Sequence, residues 1–421
     1  MILFSHPTGN ANSRHAALAL AEADLLAEYW TCVSWNPDSA WNRFLPGALR
    51  RQLARRALPE ALRERARHFP WREAVRMAAS RWPLPWLTTH ETGPFCIDAV
   101  YRTLDRRVAR RVARAGEALS AVYAYEDGAA ATFAAARERG LRRIYDLPIG
   151  YWRAAHVIYQ EEQAREPQWA CTLTGTLDSP AKLARKDEEL DLADVVLVAS
   201  SFTKRTLEHT THPFDKPVHV IPYGAPPSLA AAPEPAASSA RGGPLRVLFV
   251  GGLGQRKGLS YLLEAVRMLG RGVELTLVGM KPTEACAPLN AALRRHRWIP
   301  TLPHEGILRE MSRHDVFVFP SLFEGFGLVL LEALAQGLPV IATEHTAGPD
   351  LVEEGVSGFI VPIRSAQAIA EKLDLLARDP GLRCAMKAAA RQTALRYTWE
   401  QYRARLAQTV VAALPGGQKT P

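Results

Sequence analysis

Short, almost wholly apolar runs alternate with segments of helical length along this chain, and that rhythm limits the fold more than any other feature. Ile2–Phe4, Ala121–Ala124, Arg143–Tyr145, Asp194–Ala199 and His219–Ile221 read as strands in the first half. Leu245–Val250, Glu274–Val278, Asp315–Phe319 and Pro339–Ala342 read as strands in the second, with helical patterns at Ser13–Ala27, Ser260–Leu269 and Gly327–Gln336 between strands. Strands apolar on both faces belong to parallel sheets covered by helices, so the class is α/β and doubly wound. Residues 226–244, PPSLAAAPEPAASSARGGP, are rich in Pro, Ala, Ser and Gly without periodicity, the composition of a linker. They divide the chain into an N-terminal domain (1–225), a C-terminal domain (245–395) and a closing helix and tail (396–421), amphipathic from Trp399 to about Ala413. Two such halves imply a cleft between them, where open α/β sheets bind ligands.

A chain of 421 residues, 48% hydrophobic and 23% charged, buries a core without staples. Its five cysteines (Cys32, Cys96, Cys171, Cys286, Cys384) are scattered and form no C-x-x-C pair. That argues against a zinc ribbon or a disulfide framework and for a cytoplasmic setting. MILFSHPTGN lacks a basic n-region and no run approaches 18 apolar residues, so neither a signal peptide nor a membrane span is expected.

The charge is unevenly placed. Eleven Arg stand against three Glu between Arg43 and Arg81, a surplus of +8 within a whole-chain net charge of +9. Leu45, Leu49 and Leu53 recur every four residues; after Pro59 a helix restarts, with Leu58, Leu62, Ala66 and Phe69 on one face. Trp41, Trp71, Trp82 and Trp86 flank or punctuate this stretch. Three readings stand side by side: a solvated basic face over an ordinary core, an amphipathic segment on an anionic membrane surface at the inner face of the membrane, or a groove for an anionic polymer. Nucleic acid is not expected as the partner, because no RNP, KH, zinc-finger or helix-turn-helix signature is present.

Two elements of the second half carry chemistry. In LRVLFVGGLGQRKGLSYLLEAV a buried-type strand ends in Gly251, Gly252 and Gly254, then Arg256, Lys257 and Gly258, then a helix. Glycines let backbone amides approach an anion, a helix N-terminus favours negative charge, and two cations add charge-assisted hydrogen bonds. The spacing matches neither the P-loop nor the G-x-G-x-x-G fingerprint, and turn chemistry with surface charge would also account for it. In DVFVFPSLFEGFGLVLLEALAQGLPVIA a strand runs into Glu324-Gly325-Phe326-Gly327 and a helix bearing Glu332. Gly325 and Gly327 free the amides at the helix start, and Glu324 can accept hydrogen bonds from vicinal hydroxyls. Glu332 interrupts an apolar helix and must face something polar: ribose hydroxyls, or an Arg or Lys partner.

Glu324 and Glu332 are separated by seven residues, and P-S-x-x-E-G-F-G-L-x-x-L-E-A resembles the E-x7-E motif of retaining GT-B glycosyltransferases of family four, the group 1 glycosyltransferases. VGGLGQRKG resembles that family's phosphate-binding loop. SSFTKRTL and HVIPYGA resemble the end of its N-terminal domain, and TAGPDLVEEGVSGFIVP and YTWEQYRARL its C-terminal half. The resemblance implies the GT-B fold, two Rossmann-like domains facing each other across a cleft. It also implies that Lys257 and Arg256 grip the diphosphate of a nucleotide-sugar co-substrate, that Glu324 touches the sugar, that amides of Gly325, Phe326, Gly327 and Leu328 meet sugar and phosphates, and that Glu332 meets the ribose. Gly252 stands where relatives often carry an Arg. The loop His6-Pro7-Thr8-Gly9-Asn10 occupies the place of the glycine loop that reaches the donor, so Gly9 and Asn10 join the donor-binding set. Tyr145-Asp146 falls where relatives often carry His, and Glu126-Asp127 ends a neighbouring strand. Asp146 and Asp127 are candidates to orient acceptor or donor, against a turn-forming Asp-Gly and a core tyrosine as structural alternatives. His156 reads as a surface or core histidine.

The activity implied is retaining transfer of a sugar from a nucleotide diphosphate to a glycan or lipid-linked acceptor. No Asp-x-Asp occurs in the chain, so no metal and no cofactor is expected, and the cations of the loop would do the metal's work. A nucleotide-sugar 2-epimerase, a glycogen-synthase-like or phosphorylase enzyme, and a catalytically dead binding or scaffold protein are the rivals. Base and sugar selectivity is expected from Met280-Lys281-Pro282 and Trp298–Leu302.

Overall fold

The computed structural model describes residues 1–39, 42, 47–54, 56–79, 84–226 and 243–414. The linker expected at 226–244 lies outside the described residues except at its ends, as do Trp41, Arg43, Leu45, Arg55, Arg81, Trp82 and the tail after Leu414; of Leu49 and Arg51 only the backbone is described.

Seven parallel strands form the first sheet: β1 (Ile2–Ser5), β2 (Leu26–Thr31), β3 (Ala66–His68), β4 (Ala121–Tyr125), β5 (Arg142–Leu147), β6 (Val195–Val198) and β7 (Val218–Val220), in the order β3-β2-β1-β4-β5-β6-β7. Six more form the second: β8 (Leu245–Val250), β9 (Val273–Val278), β10 (Arg297–Ile299), β11 (Val316–Phe319), β12 (Val340–Thr343) and β13 (Gly358–Val361), in the order β10-β9-β8-β11-β12-β13. Each order reverses once, between β1 and β4 and between β8 and β11. At such a switch point the loops leaving the two strands turn to opposite faces and open a crevice at the carboxyl edge. The central strands are buried on both faces, which is why they are legible as unbroken apolar runs.

Several elements differ from expectation. The helix read at Ser13–Ala27 spans Ala11–Glu22, capped by the Asn10 side chain on the Ser13 amide; Asp24 at φ 52° turns the chain, and β2 starts at Leu26. The segment over Arg43–Arg81 is not one amphipathic face. It holds helices Gly47–Ala54 and Glu60–Arg63, the edge strand β3, and helix Trp71–Ala79. Leu58 and Leu62 are buried as expected, but Ala66 begins β3 and Phe69 follows that strand, so neither shares their helical face. Edge strands β3 and β10, three residues each, were not anticipated, because backbone pairing alone places them and their side chains are charged or mixed. Among the described residues no helix is long and apolar enough to cross a membrane.

The last helix, Trp399–Ala413, begins with a capping box from Thr398 and Gln401. It packs on helix Ala11–Glu22 of the first domain: Trp399 stacks on His15 with ring centroids 3.9 Å apart, and Arg403 pairs with Glu22 at 2.8 Å. The chain thus crosses between the domains twice, side by side, with the Ala225 amide donating to the Tyr397 carbonyl at 2.7 Å. At that crossing a Cβ on Gly224 would lie 2.3 Å from the Trp399 nitrogen, whereas one on Gly116 would meet nothing within 4 Å. Gly224→Ala is expected to cost roughly 2 kcal/mol or more in urea unfolding while Gly116→Ala stays within about 0.5 kcal/mol; equal stabilities would contradict the tight crossing.

Candidate functional site

The switch between β8 and β11 sets the loop after β8 (251–258) directly beside the loop after β11 (320–327). They touch through backbone: the Leu322 amide donates to the Arg256 carbonyl at 2.9 Å, and a Cβ on Gly258 (φ 65°) would stand 1.9 Å from the Pro320 carbonyl oxygen. No side chain fits there. Gly327, at φ 81°, turns the second loop into the apolar helix Leu328–Ala335. That helix N-terminus therefore faces the same space as the cations of the first loop, and amides at such a terminus favour anions.

The charged groups converge on Glu324. Lys257 Nζ pairs with its Oε2, and Arg256 Nη1 lies 3.0 Å from the same oxygen while also donating to the Phe323 carbonyl at 3.0 Å. The Lys257 ammonium also sits 4.5 Å from the centre of the Phe319 ring. Burial lowers the Lys257 pKa to about 8 despite the attraction of Glu324. Burial would raise the Glu324 carboxyl, but Lys257 and Arg256 outweigh it and hold the group below its ordinary value. A cleft of about 460 Å³ opens beside these groups. Gly252, Arg256, Lys257, Glu324, Phe326, Gly327, Leu328 and Glu332 line it from the C-terminal domain, and Asn12, Pro148 and Tyr223 from the N-terminal one. The Glu332 carboxylate meets His304 Nε2 at 3.0 Å rather than an Arg or Lys. Gly252 has open space where a side chain would go.

The remaining candidates stand elsewhere. Gly9 (φ 57°) and Asn10 are not among the residues lining the cleft; Asn10 is spent as a helix cap, and Asn12 two residues later reaches the cleft. Gly325 is tight between the domains, where a Cβ would lie 2.0 Å from the Pro148 oxygen, and its carbonyl accepts from Ser200 Oγ at 2.5 Å and Thr203 Oγ1 at 2.8 Å. Asp146 is buried at the end of β5, takes a 2.6 Å hydrogen bond from Tyr123, and is raised by burial to about 7. Tyr145 is a core side chain donating to Glu189 at 3.2 Å. Asp127 occupies the turn at φ 69°, within 3.8 Å of Lys182 and 3.7 Å of Lys186. That ionic cluster, with Glu126 and Asp178, borders a smaller pocket of about 140 Å³ that also touches His156, Tyr159 and Phe323. His90, Glu91 and Asp178 bring three ligand atoms within 4.8 Å, but Lys182 Nζ lies 2.9 Å from Asp178 and already supplies positive charge.

Sequence reasoning missed Glu162. This fully buried carboxylate of helix Trp152–Arg165 accepts from three groups of the other domain: Gln255 Nε2 at 2.6 Å, Tyr261 Oη at 2.9 Å and Arg364 Nε at 2.8 Å. Gln255 is the residue before Arg256, and its amide donates to Thr172 Oγ1 at 2.9 Å. The cation loop is thus fixed by the domain opposite. No local motif marks Glu162, since its partners lie 93, 99 and 202 residues away.

The family model for glycosyl transferases group 1 matches residues 232–393. A D-inositol 3-phosphate glycosyltransferase of Kribbella flavida is 30% identical over 305 residues, covering 63% of this chain and 71% of that protein. The chain belongs to the group 1 glycosyltransferases. The amylovoran biosynthesis glycosyltransferase AmsK of Erwinia amylovora is 37% identical over 142 residues, which is 30% of this chain and 34% of that protein, so the match spans about a third of that relative. Among solved structures, a sucrose-phosphate synthase from Thermosynechococcus elongatus superposes with a TM-score of 0.66 at 18% identity, covering 97% of this chain and 98% of that one. Anabaena HepE, solved in complex with UDP-glucose, gives 0.63 at 17% identity over 98% and 99% of the two chains. At these identities the likeness is one of fold, and the fold is GT-B.

The Asp146 carboxyl keeps its proton in the folded protein until the pH nears 7, whereas the unfolded chain releases it near the ordinary value. It therefore contributes stability that is present at low pH and lost as pH rises through about 7. Asp146→Asn cannot ionise, so its Tm advantage over the parent is expected to grow by roughly 4 °C or more from pH 5 to pH 8. Parallel Tm curves would place the carboxyl in water instead.

Proposed function

We propose that this group 1 glycosyltransferase moves a sugar, with retention, from a nucleotide diphosphate to the hydroxyl of a glycan or lipid-linked acceptor in surface-glycan assembly, without a metal or cofactor. The observation that carries the reading is the convergence of Lys257, Arg256 and a helix N-terminus on one cleft, with Glu324 and Glu332 on its wall. The diphosphate would displace Glu324 from the two cations, and the freed carboxylate would turn to the sugar. As the glycosidic bond breaks, charge grows on the leaving phosphate, where the cations and helix amides already point. The anomeric carbon becomes oxocarbenium-like, and a phosphate oxygen takes the acceptor proton on the same face. Phe326, Gly327 and Leu328 would meet sugar and phosphates, Glu332 the ribose, and Asn12, beyond the Gly9-Asn10 cap, the donor from across the cleft.

Asp146 we assign to the floor behind Tyr223, and Asp127 to the ion-pair cluster behind Glu126 and Lys186, which line the smaller, acceptor-side pocket. Relatives named for amylovoran and colanic acid biosynthesis, and a phosphatidyl-myo-inositol mannosyltransferase, support a polysaccharide or lipid-linked acceptor. HepE with UDP-glucose supports a uridine nucleotide as the first donor to try.

A panel of UDP-, GDP-, ADP- and TDP-sugars should raise the melting temperature with one base, and Lys257→Ala should abolish that shift. Turnover should fall about 100-fold or more in Lys257→Ala and in Glu324→Ala. A donor that binds but is never turned over with any acceptor would favour the scaffold reading. Donor affinity should weaken as pH rises through about 8, where Lys257 loses its proton, and Lys257→Arg should remove that fall. A flat profile in the parent would detach Lys257 from the diphosphate.

A further inference from the structure

Among the described residues, several arginines of Arg43–Arg81 are already engaged within the protein. Arg56 and Arg76 share the buried Glu73, Arg63 meets Asp38 at 2.6 Å, and Arg50 donates to the Asn42 carbonyl at 2.9 Å. Uncommitted charge lies on the next helix, Ile97–Ala113. Arg102, which pairs with Asp98 at 3.4 Å, is followed at intervals of four by Arg106, Arg110 and, just past the helix end, Arg114, all exposed and along one side. Among the described residues, Arg106, Arg107, Arg110 and Arg114 have no carboxylate within ion-pair distance. Arg107 joins this column to an aromatic ridge: its guanidinium lies 5.6 Å from the Phe69 ring centre, and two residues on, Trp71 packs edge-on against Phe95 at 6.0 Å.

That ridge is apolar and open to solvent. Trp71 is 45% exposed, Leu84 40%, Trp86 60% and Ile97 40%. Leu177, 62% exposed, joins them through the pairing of Asp178 with His90 and of Ser179 with Glu91. Large apolar side chains held in water beside a column of unpaired arginines need a partner that is both oily and anionic. The ridge also lies at the carboxyl edge of the first sheet. Tyr101, on the same helix, is 6.2 Å from His6 in the loop after β1, and 3.5 Å from where a Cβ of Gly128 after β4 would stand.

We propose that this face, with Trp71, Leu84, Trp86 and Leu177 as the inserting edge and Arg106, Arg110 and Arg114 as the contacts to headgroups, seats the enzyme on an anionic lipid bilayer beside the mouth of its cleft. It deepens the lipid-linked acceptor of the preceding reading by naming the surface that brings it. The tryptophans could stack on bases of a single-stranded nucleic acid, but Leu84, Ile97 and Leu177 gain nothing from such a partner.

Co-sedimentation with phosphatidylglycerol-containing vesicles, set against pure phosphatidylcholine, tests it without any sugar donor, so its failure would leave the transferase reading standing. The parent should bind the anionic vesicles and bind them less as salt rises. Arg106→Glu with Arg110→Glu and Arg114→Glu should weaken binding by about tenfold or more, and Trp71→Ser with Trp86→Ser should do so at any salt. Arg50→Glu with Arg63→Glu should change it little. Unchanged melting temperatures in the charge variants show that they fold. No binding by the parent, equal binding by the charge variants, loss confined to the Arg50 and Arg63 variants, or displacement by a single-stranded oligonucleotide would each overturn the proposal.

Discussion

A carboxylate stripped of water is expensive unless donors surround it, and in this protein the donors come from the opposite domain. Glu162 has no exposed surface and is satisfied by Gln255, Tyr261 and Arg364, so the cost of burying it is met only while the two domains stand in this arrangement. Arg364 holds its place at φ 62°, a left-handed backbone that a non-glycine residue adopts only when its surroundings enforce it, and it also donates to the Ile158 carbonyl at 2.9 Å. Because Gln255 precedes Arg256 and Lys257 in one short turn, the contact that fixes the domains also fixes the two cations. Domain orientation and the placement of the two cations are one variable.

The cations in turn explain a feature that would otherwise look self-defeating. Lys257 and Arg256 are already engaged by Glu324, so one carboxylate offsets half the positive charge of the pair. A buried lysine without that carboxylate would pay desolvation alone, and a carboxylate without the lysine would do the same. The pair ties the two loops together, and the cations of the cleft already face an anion of the protein's own, so any anion that entered would have to outcompete a side chain.

Much of this was legible in the chain, and the reason is physical. Doubly buried strands must be apolar throughout, so β8 was read to its exact limits, and loops that let backbone meet backbone must contain glycine, which exposed 251–258 and 324–327. The edge strand β3 escaped because pairing chooses it: Ala66–His68 has two exposed side chains and no apolar signature. Within the Arg-rich segment, charge in a sequence does not reveal which carboxylate will neutralise it, and Glu73 pairs with two arginines at once. Asp127 and Asp146 were placed correctly at strand ends, yet whether a strand-end carboxylate faces a cleft or a tyrosine is decided by neighbours far away in sequence, here Lys186 and Tyr123. Glu162 had no local signal at all.

The double crossing at Ala225 and Tyr397 makes the covalent order of the chain differ from its spatial order. The helix that ends the sequence completes the domain that begins it, with Tyr402, Leu406 and Val410 buried against that first domain. A piece ending near residue 225 would therefore carry an uncovered apolar seat, and a piece starting near 245 would carry the matching helix as a loose arm. Two such pieces are complementary fragments rather than independent domains, and the first half acquires its full surface only after the last residues of that helix have been synthesised.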